Sequence, residues 1–166
     1  MLYVLISVLL IIADQIIKLL TVKYLAPSGS IMVLKNILSF TYVENRGAAF
    51  GILQDGRWFF IIITLVILTA LSIYIRRQPE KGKFFKFSIC MIYAGAIGNF
   101  IDRLFKGYVV DMIHATFINF PVFNFADCLI VVGVILLYVY ILFFDNDNLT
   151  KDSSFSPDEV KTDERD

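Results

Sequence analysis

Four aspartates stand where a strongly apolar chain has little room for them: Asp14, Asp102, Asp111 and Asp127. An ionisable group inside or at the edge of a membrane span costs about 2.5–3.5 kcal/mol on insertion scales, so such groups are functional candidates by default. Asp14 precedes Lys18 by one helical turn, which puts both on one face. That face either carries an intrahelical ion pair or lines a site, and in both cases it must point into a bundle rather than at lipid. Asp102 ends the run Ala94-Gly95-Ala96-Ile97-Gly98-Asn99-Phe100-Ile101-Asp102-Arg103. Ala94 and Gly98 form a small-xxx-small stripe suited to close helix approach, and Asn99 and Arg103 give it a polar outer end. Beside Arg103, Asp102 reads either as an interfacial anchor or as part of a site.

Asp111 follows the extended-looking Gly107-Tyr108-Val109-Val110, and Asp127 closes Phe123-Asn124-Phe125-Ala126-Asp127 after Pro121. Asn124 as N-cap with Asp127 three residues on forms a capping-box-like helix start. Spans on either side return Asp111 and Asp127 to one membrane boundary, where two carboxylates sixteen positions apart can meet. Within about 3 Å of each other both cannot easily ionise, so the pair shares a proton and its apparent pKa values split. That state suits peptide hydrolysis. One carboxylate takes a proton from an attacking water, and the protonated partner donates to the developing oxyanion. The helix N-terminus favours charge on Asp127.

Other hydrolytic chemistries lack their parts. The sequence has no His-Glu-x-x-His and a single histidine, His114, so a zinc protease has no ligand set and no metal is expected. There is no Gly-x-Ser-x-Gly either. His114 itself reads as a surface or interfacial residue.

The elements that must position these groups follow from composition. Hydrophobic residues make up 58% of the 166, charged residues 18%, and the mean hydropathy is +0.73, well outside the range of an ordinary soluble domain. The apolar residues gather into four runs, at about residues 2–20, 58–75, 84–104 and 127–144, each long enough to span a bilayer core of about 30 Å. The first run has no basic leader or small-x-small cleavage site, and it carries Asp14 and Lys18 in its distal half, so it reads as a retained span. The link at 76–83 and the turn after it hold Arg76, Arg77, Lys81, Lys83 and Lys86 against Glu80. The positive-inside rule assigns that link, and with it both termini, to the cytoplasm. Residues 21–57 and 105–126 are then extracytoplasmic. Within the first of these, Ile31-Met32-Val33-Leu34 and Leu38-Ser39-Phe40-Thr41-Tyr42-Val43 read as short strands of a small sheet on the outer membrane face. The expected fold is an all-α membrane protein of four transmembrane helices with a small extracytoplasmic β-sheet. Residues 145–166, with eight acidic and three basic side chains, read as a solvated cytoplasmic tail. A formal net charge of zero gives no surface for nucleic acid. Cys90 and Cys128 lie within apolar runs and read as small hydrophobes.

These residues resemble the bacterial lipoprotein signal peptidases, or signal peptidase II. The likeness covers Asp14 to Asp127 and much of the fourth span. It rests on Asp14-Gln15 with Lys18, Asn45-Arg46-Gly47-Ala48-Ala49-Phe50, Gly95-Ala96-Ile97-Gly98-Asn99 with Asp102-Arg103, Val109-Val110-Asp111, and Phe123-Asn124 with Ala126-Asp127. The resemblance implies a membrane-embedded aspartic endopeptidase that cuts prolipoproteins before a cysteine carrying diacylglycerol, in the bacterial plasma membrane. Asp111 and Asp127 match the family's catalytic pair. The motif matches carry over Asp14, Lys18, Asn45, Arg46, Gly47, Asn99, Asp102, Arg103, Asn124 and Ala126 as positions that support the site or hold substrate. No metal or organic cofactor is implied, and the expected working unit is a monomer in contact with membrane lipid. His114 departs from an acidic residue found in some members, and the tail after Phe144 is long and acidic. Two other readings of the residues stay open: a transporter or channel component, which needs charges through the depth of the bundle, and a scaffold whose polar groups serve only packing.

Overall fold

In hydrocarbon a backbone must satisfy its own N–H and C=O groups, so long apolar runs have the α-helix as their only single-segment solution. The computed structural model describes residues 1–48, 50 and 52–144; the acidic tail from Asp145 and the motif residue Ala49 lie outside the described residues. The elements in chain order are α1 (Leu2–Leu20), β1 (Ser30–Leu34), β2 (Leu38–Asn45), α2 (Arg57–Arg76), α3 (Lys83–Phe105), β3 (Val109–Ala115) and α4 (Phe125–Phe144). All four helices are long and apolar enough to cross a membrane. The first does not stop at Leu20. It runs on as a π-helical turn, Thr21–Leu25, which delivers Leu25 onto Val110 and Met112 of β3 in a buried cluster. The loop expected from residue 21 therefore starts about one turn later, because the last turn of the helix is held by packing on the sheet.

The helix α3 touches each of the other three helices and buries residues along its length, from Phe85 to Asp102. Its close approaches occur at glycines. A side chain at Gly95 would overlap the Ala126 carbonyl and Ile130 of α4, and one at Gly98 would sit 2.5 Å from Asp14 Oδ2 of α1. Gly133 on α4 answers them, since a Cβ there would lie 2.8 Å from Ile92 Cγ1. The stripe expected at Ala94 and Gly98 is thus part of a wider pattern, because glycines let α3 come close to both α4 and α1. Ala94 itself is fully buried.

The sheet is antiparallel in the order β1-β2-β3. β1 and β2 join through a short turn in which Asn36 takes φ 58°, a left-handed conformation that asparagine tolerates better than most residues. The third strand comes from the stretch that sequence showed only as extended. Between Phe40 and Val43 the β2–β3 register slips by one residue: Phe40 faces Ile113, but Val43 faces Asp111. The extra residue lies in β2: without it Asp111 would pair with Tyr42, and Asn45 would stand on the opposite face of the sheet. The bulge brings Val43 and Asn45 onto the face of Asp111, away from Val110 and Met112, which pack on Leu25.

Candidate active site

Asp111 is 1% exposed, and two asparagine amides hold its carboxylate: Asn45 Nδ2 donates to Oδ2 at 2.8 Å and Asn124 Nδ2 to Oδ1 at 2.6 Å. Burial pushes its carboxyl from the ordinary value of 3.8 up to about 6; the Asp127 charge adds to the rise, while the two amides oppose it by favouring the ionised form. Asp127 is half-buried at the start of α4. Asn99 Nδ2 donates to its Oδ1 at 2.7 Å and the Asn124 backbone N–H to its Oδ2 at 3.1 Å. The Asp127 N–H returns a bond to Asn124 Oδ1 at 3.0 Å, which completes a reciprocal capping box at the helix start. Asn124 therefore bonds to both aspartates: to Asp111 through its side chain, and to Asp127 through its side chain and its backbone N–H.

Each of the three asparagines is oriented from behind. Asn45 Oδ1 accepts from the Gly47 N–H at 3.0 Å, Asn99 Oδ1 from Lys18 Nζ at 2.9 Å, and Asn124 Oδ1 from the Asp127 N–H. An amide turned the other way would set donor against donor, so each Nδ2 has to face a carboxylate.

Lys18 anchors this arrangement. Fully buried, it uses three donors on three acceptors: Asn99 Oδ1, Asp14 Oδ2 at 2.9 Å and Asp102 Oδ2 at 3.3 Å. The intrahelical Asp14–Lys18 pair is present and extends across to α3. The other oxygen of Asp14 accepts the Ala126 N–H at 3.0 Å, one of the amide groups that a helix start leaves without an intrahelical partner. Asp102 is wholly buried, so the anchor reading does not hold. Its Oδ2 accepts the Val110 N–H at 3.0 Å and its Oδ1 pairs with Lys106 at 2.8 Å, which fixes β3 one residue before Asp111. Nothing in the spacing of Asp102 and Val110 shows this bond, because it depends on how the chain turns back after α3.

Arg103 Nη2 donates to the Gly47 carbonyl at 3.2 Å and its guanidinium lies 4.7 Å from the centre of the Phe60 ring, so it ties the 46–56 loop to α3 and α2. Gly47 is close-packed: a Cβ would come within 2.5 Å of the Ile52 carbonyl oxygen. Arg46 turns away, onto Glu44 at 3.1 Å and over Tyr108 at 5.5 Å. His114 lies further along β3 with Nδ1 at 3.5 Å from Ser39 Oγ. Among the described residues no three His, Cys, Asp or Glu side chains are grouped to hold a metal ion.

Asp111 and Asp127 line one cavity of about 260 Å3 together with Asn45, Gly47, Arg103 and the 120–123 segment. Two carboxylates on one cavity, one desolvated and the other at a helix N-terminus, are equipped to divide acid and base roles. A residue absent from the sequence-derived set is Arg57, whose Nη2 donates to the Leu104 carbonyl at 2.6 Å and closes the end of α3. Its one sequence signal is a cation at the head of an apolar run.

Residues 6–143 match the family model described as signal peptidase (SPase) II. The chain is 41% identical over 142 residues to a lipoprotein signal peptidase of Anoxybacillus flavithermus, covering 84% of each. It is 42% identical over 138 residues to one of Streptococcus pyogenes serotype M5, covering 83% of this chain and 91% of the relative. Two solved structures described as bacterial membrane enzymes superpose with TM-scores of 0.75 and 0.77 at 36% and 38% identity. The first alignment covers 96% of this chain and 94% of that one, the second 86% and 93%.

Proposed function

Because this chain belongs to the signal peptidase II family, a family of multi-pass membrane proteases, we propose that it removes signal peptides from prolipoproteins with Asp111 and Asp127 as the catalytic dyad, cutting before a cysteine that carries diacylglycerol. The observation that carries the reading is the shared cavity lined by the two aspartates. Asp127 is the base. It takes a proton from the water as the water oxygen attacks the scissile carbonyl carbon, while Asp111, pushed toward its neutral form by burial, donates its proton to the carbonyl oxygen. When the tetrahedral intermediate collapses, the proton on Asp127 passes to the leaving amine of the cysteine, and a hydroxyl proton of the intermediate returns to Asp111 as the carboxyl of the signal peptide forms. Asn45, Asn99 and Asn124 hold the two carboxylates in place, and Lys18, Asp14 and Asp102 hold the elements that carry them.

The same reading gives the orientation. Arg76, Arg77, Lys81, Lys83 and Lys86 sit at the α2–α3 link; their positive charge supports a cytoplasmic position for that end, with the dyad toward the outer boundary of the plasma membrane. There a lipidated cysteine keeps its acyl chains in the bilayer while water reaches the peptide bond. A monomer holds every group the mechanism uses. The buried charged side chains, Asp14, Lys18, Asp102 and Asp111, cluster at the site end of the bundle, whereas an ion path needs them through its depth.

The test is cleavage of a synthetic prolipoprotein, with and without its diacylglyceryl group, by purified wild type, Asp111→Asn and Asp127→Asn. Removal of one acid–base partner is expected to lower kcat by about 10²–10⁴ with the protein still folded, and cleavage is expected to depend on the lipid. Variants that cut as fast as wild type overturn the dyad.

A further inference from the structure

A second cavity, of about 300 Å3, abuts the first. The two share Asn45, Ala48, Asp111 and residues 120–122 as a common wall. They differ in what else encloses them. The first reaches Arg103 on α3 and Asp127 on α4, at the ends of two membrane helices. The second is bounded by β2, β3 and two loops, with no residue of α1–α4 in its lining. Gln54 from one loop and Asn119 from the other line it, and neither side-chain amide is hydrogen-bonded to another described residue. The two loops meet where the Phe50 and Phe120 rings pack edge to face, 6.3 Å between centres.

We propose that this second cavity binds the first residues of the mature chain, the extended unlipidated peptide that follows the modified cysteine, with Gln54 and Asn119 hydrogen-bonding its backbone. The proposal rests on the dyad reading above. A prolipoprotein has an apolar signal segment before the scissile bond; after it come the lipidated cysteine, whose acyl chains stay in the bilayer, and the mature chain, which leaves for water. Asp111 is common to both cavities, so a peptide bond held against it sends one half of the substrate toward the helix ends and the other into the space bounded by sheet and loops. An amide side chain offers a donor and an acceptor, the complement of a peptide C=O and N–H. Such groups read backbone rather than side chain, and so accept varied mature sequences.

The experiment uses the full-length enzyme in detergent and two synthetic lipopeptides with the same signal segment and the same diacylglyceryl cysteine. One ends at the cysteine as a carboxamide; the other continues for three small residues. A neutral hydrogen bond exchanged with water is worth about threefold in an equilibrium, so two of them give the extended peptide an advantage of about tenfold in kcat/KM. The extended-to-short ratio falls to about threefold in Gln54→Ala and in Asn119→Ala, and to near one in the double variant. A wild-type ratio near one overturns the subsite, as do variants that lower both peptides in parallel and leave the ratio intact. If wild type cuts neither peptide, or Asp111→Asn cuts both, it is the dyad reading that fails, and this proposal with it.

Discussion

Where α1 and α3 finish and α4 begins, the fully buried side chains include Asp14, Lys18, Asp102, Asp111 and Asn124; at the opposite end of the bundle the buried cluster is Phe85, Ile89 and Tyr140. At that opposite end rings pack on rings, with Phe84, Phe85 and Phe144 around Tyr140, and the buried Ser88 hydroxyl turns back onto the Phe85 carbonyl of its own helix. At the polar end almost every group is bonded across elements: Asp14 to α4, Lys18 to α3, Asp102 to β3, Asn99 to α4. An apolar cluster loses energy in proportion to the atoms removed and relaxes around the gap. A bonded polar network leaves desolvated partners behind when one member goes. The site end should therefore fail abruptly and the other end by degrees.

Lys18→Met tests this most severely. It leaves Asp14 without its ion pair and Asp102 with Lys106 alone, and breaking a buried pair from one side costs about 3–5 kcal/mol. Folded yield and thermal midpoint in detergent should drop steeply, whereas Ile89→Val at the apolar end should cost about 0.5–1.5 kcal/mol. Similar midpoints for the two variants would break the contrast.

The α3–α4 seam offers the same change at both ends. Gly95→Ala pushes against Ala126 beside Asp127, and Gly133→Ala pushes against Ile92 and Ser88 further down the seam. A misplacement of about 1 Å at a catalytic group costs about 10²-fold in rate, so Gly95→Ala should lose about that much turnover and Gly133→Ala less than about tenfold. Turnover measured beside the unfolding midpoint of each variant separates misplacement from unfolding. Equal loss of turnover would mean that the seam positions both ends alike.

The raised pKa of Asp111 sharpens the comparison in another direction. Its folded value of about 6 lies above the ordinary 3.8, so between those values the folded protein binds more protons than the unfolded one, and stability falls as pH rises through that window. At one pKa unit per 1.36 kcal/mol the fall is at most about 3 kcal/mol. Unfolding followed from pH 4 to 7 should show this slope in wild type and a flatter one in Asp111→Asn. An unchanged slope in the variant would assign the titration to another group.

The smallest effect belongs to Arg46. Its ion pair with Glu44 is exposed, with side-chain accessibilities of 52% and 38%, and exposed pairs contribute about 0–1 kcal/mol. Arg46→Ala should change the unfolding midpoint little and turnover less than Gly95→Ala does. A larger loss of turnover would return Arg46 to the site.

Much of this was legible one element at a time. The Asp14–Lys18 pair follows from i,i+4 spacing, and the Asn124–Asp127 box from its i,i+3 spacing. The two strands of the hairpin show as β-branched and aromatic runs on either side of Asn36. Reading Asp102 as an anchor failed for a definite reason: sequence places it at a helix end, and the end of α3 is covered by β3 and by Lys18 from α1. Arg46 sits in the same motif as Asn45, but it lies just past the end of β2, where its side chain meets Glu44 and Tyr108 instead of the aspartates.

Sequence by itself determined the four apolar helices and the residues able to do acid–base chemistry, because hydropathy, helical spacing and capping are local properties that a run of about twenty residues carries in full. Tertiary structure decided which carboxylates share a cavity and which way each asparagine amide faces. It also set the bulge that brings Asn45 onto the face of Asp111. Each of these depends on groups from elements far apart in the chain, and a one-residue slip in the β2–β3 register would set Tyr42 and Glu44 beside Asp111 and turn Asn45 to the other face.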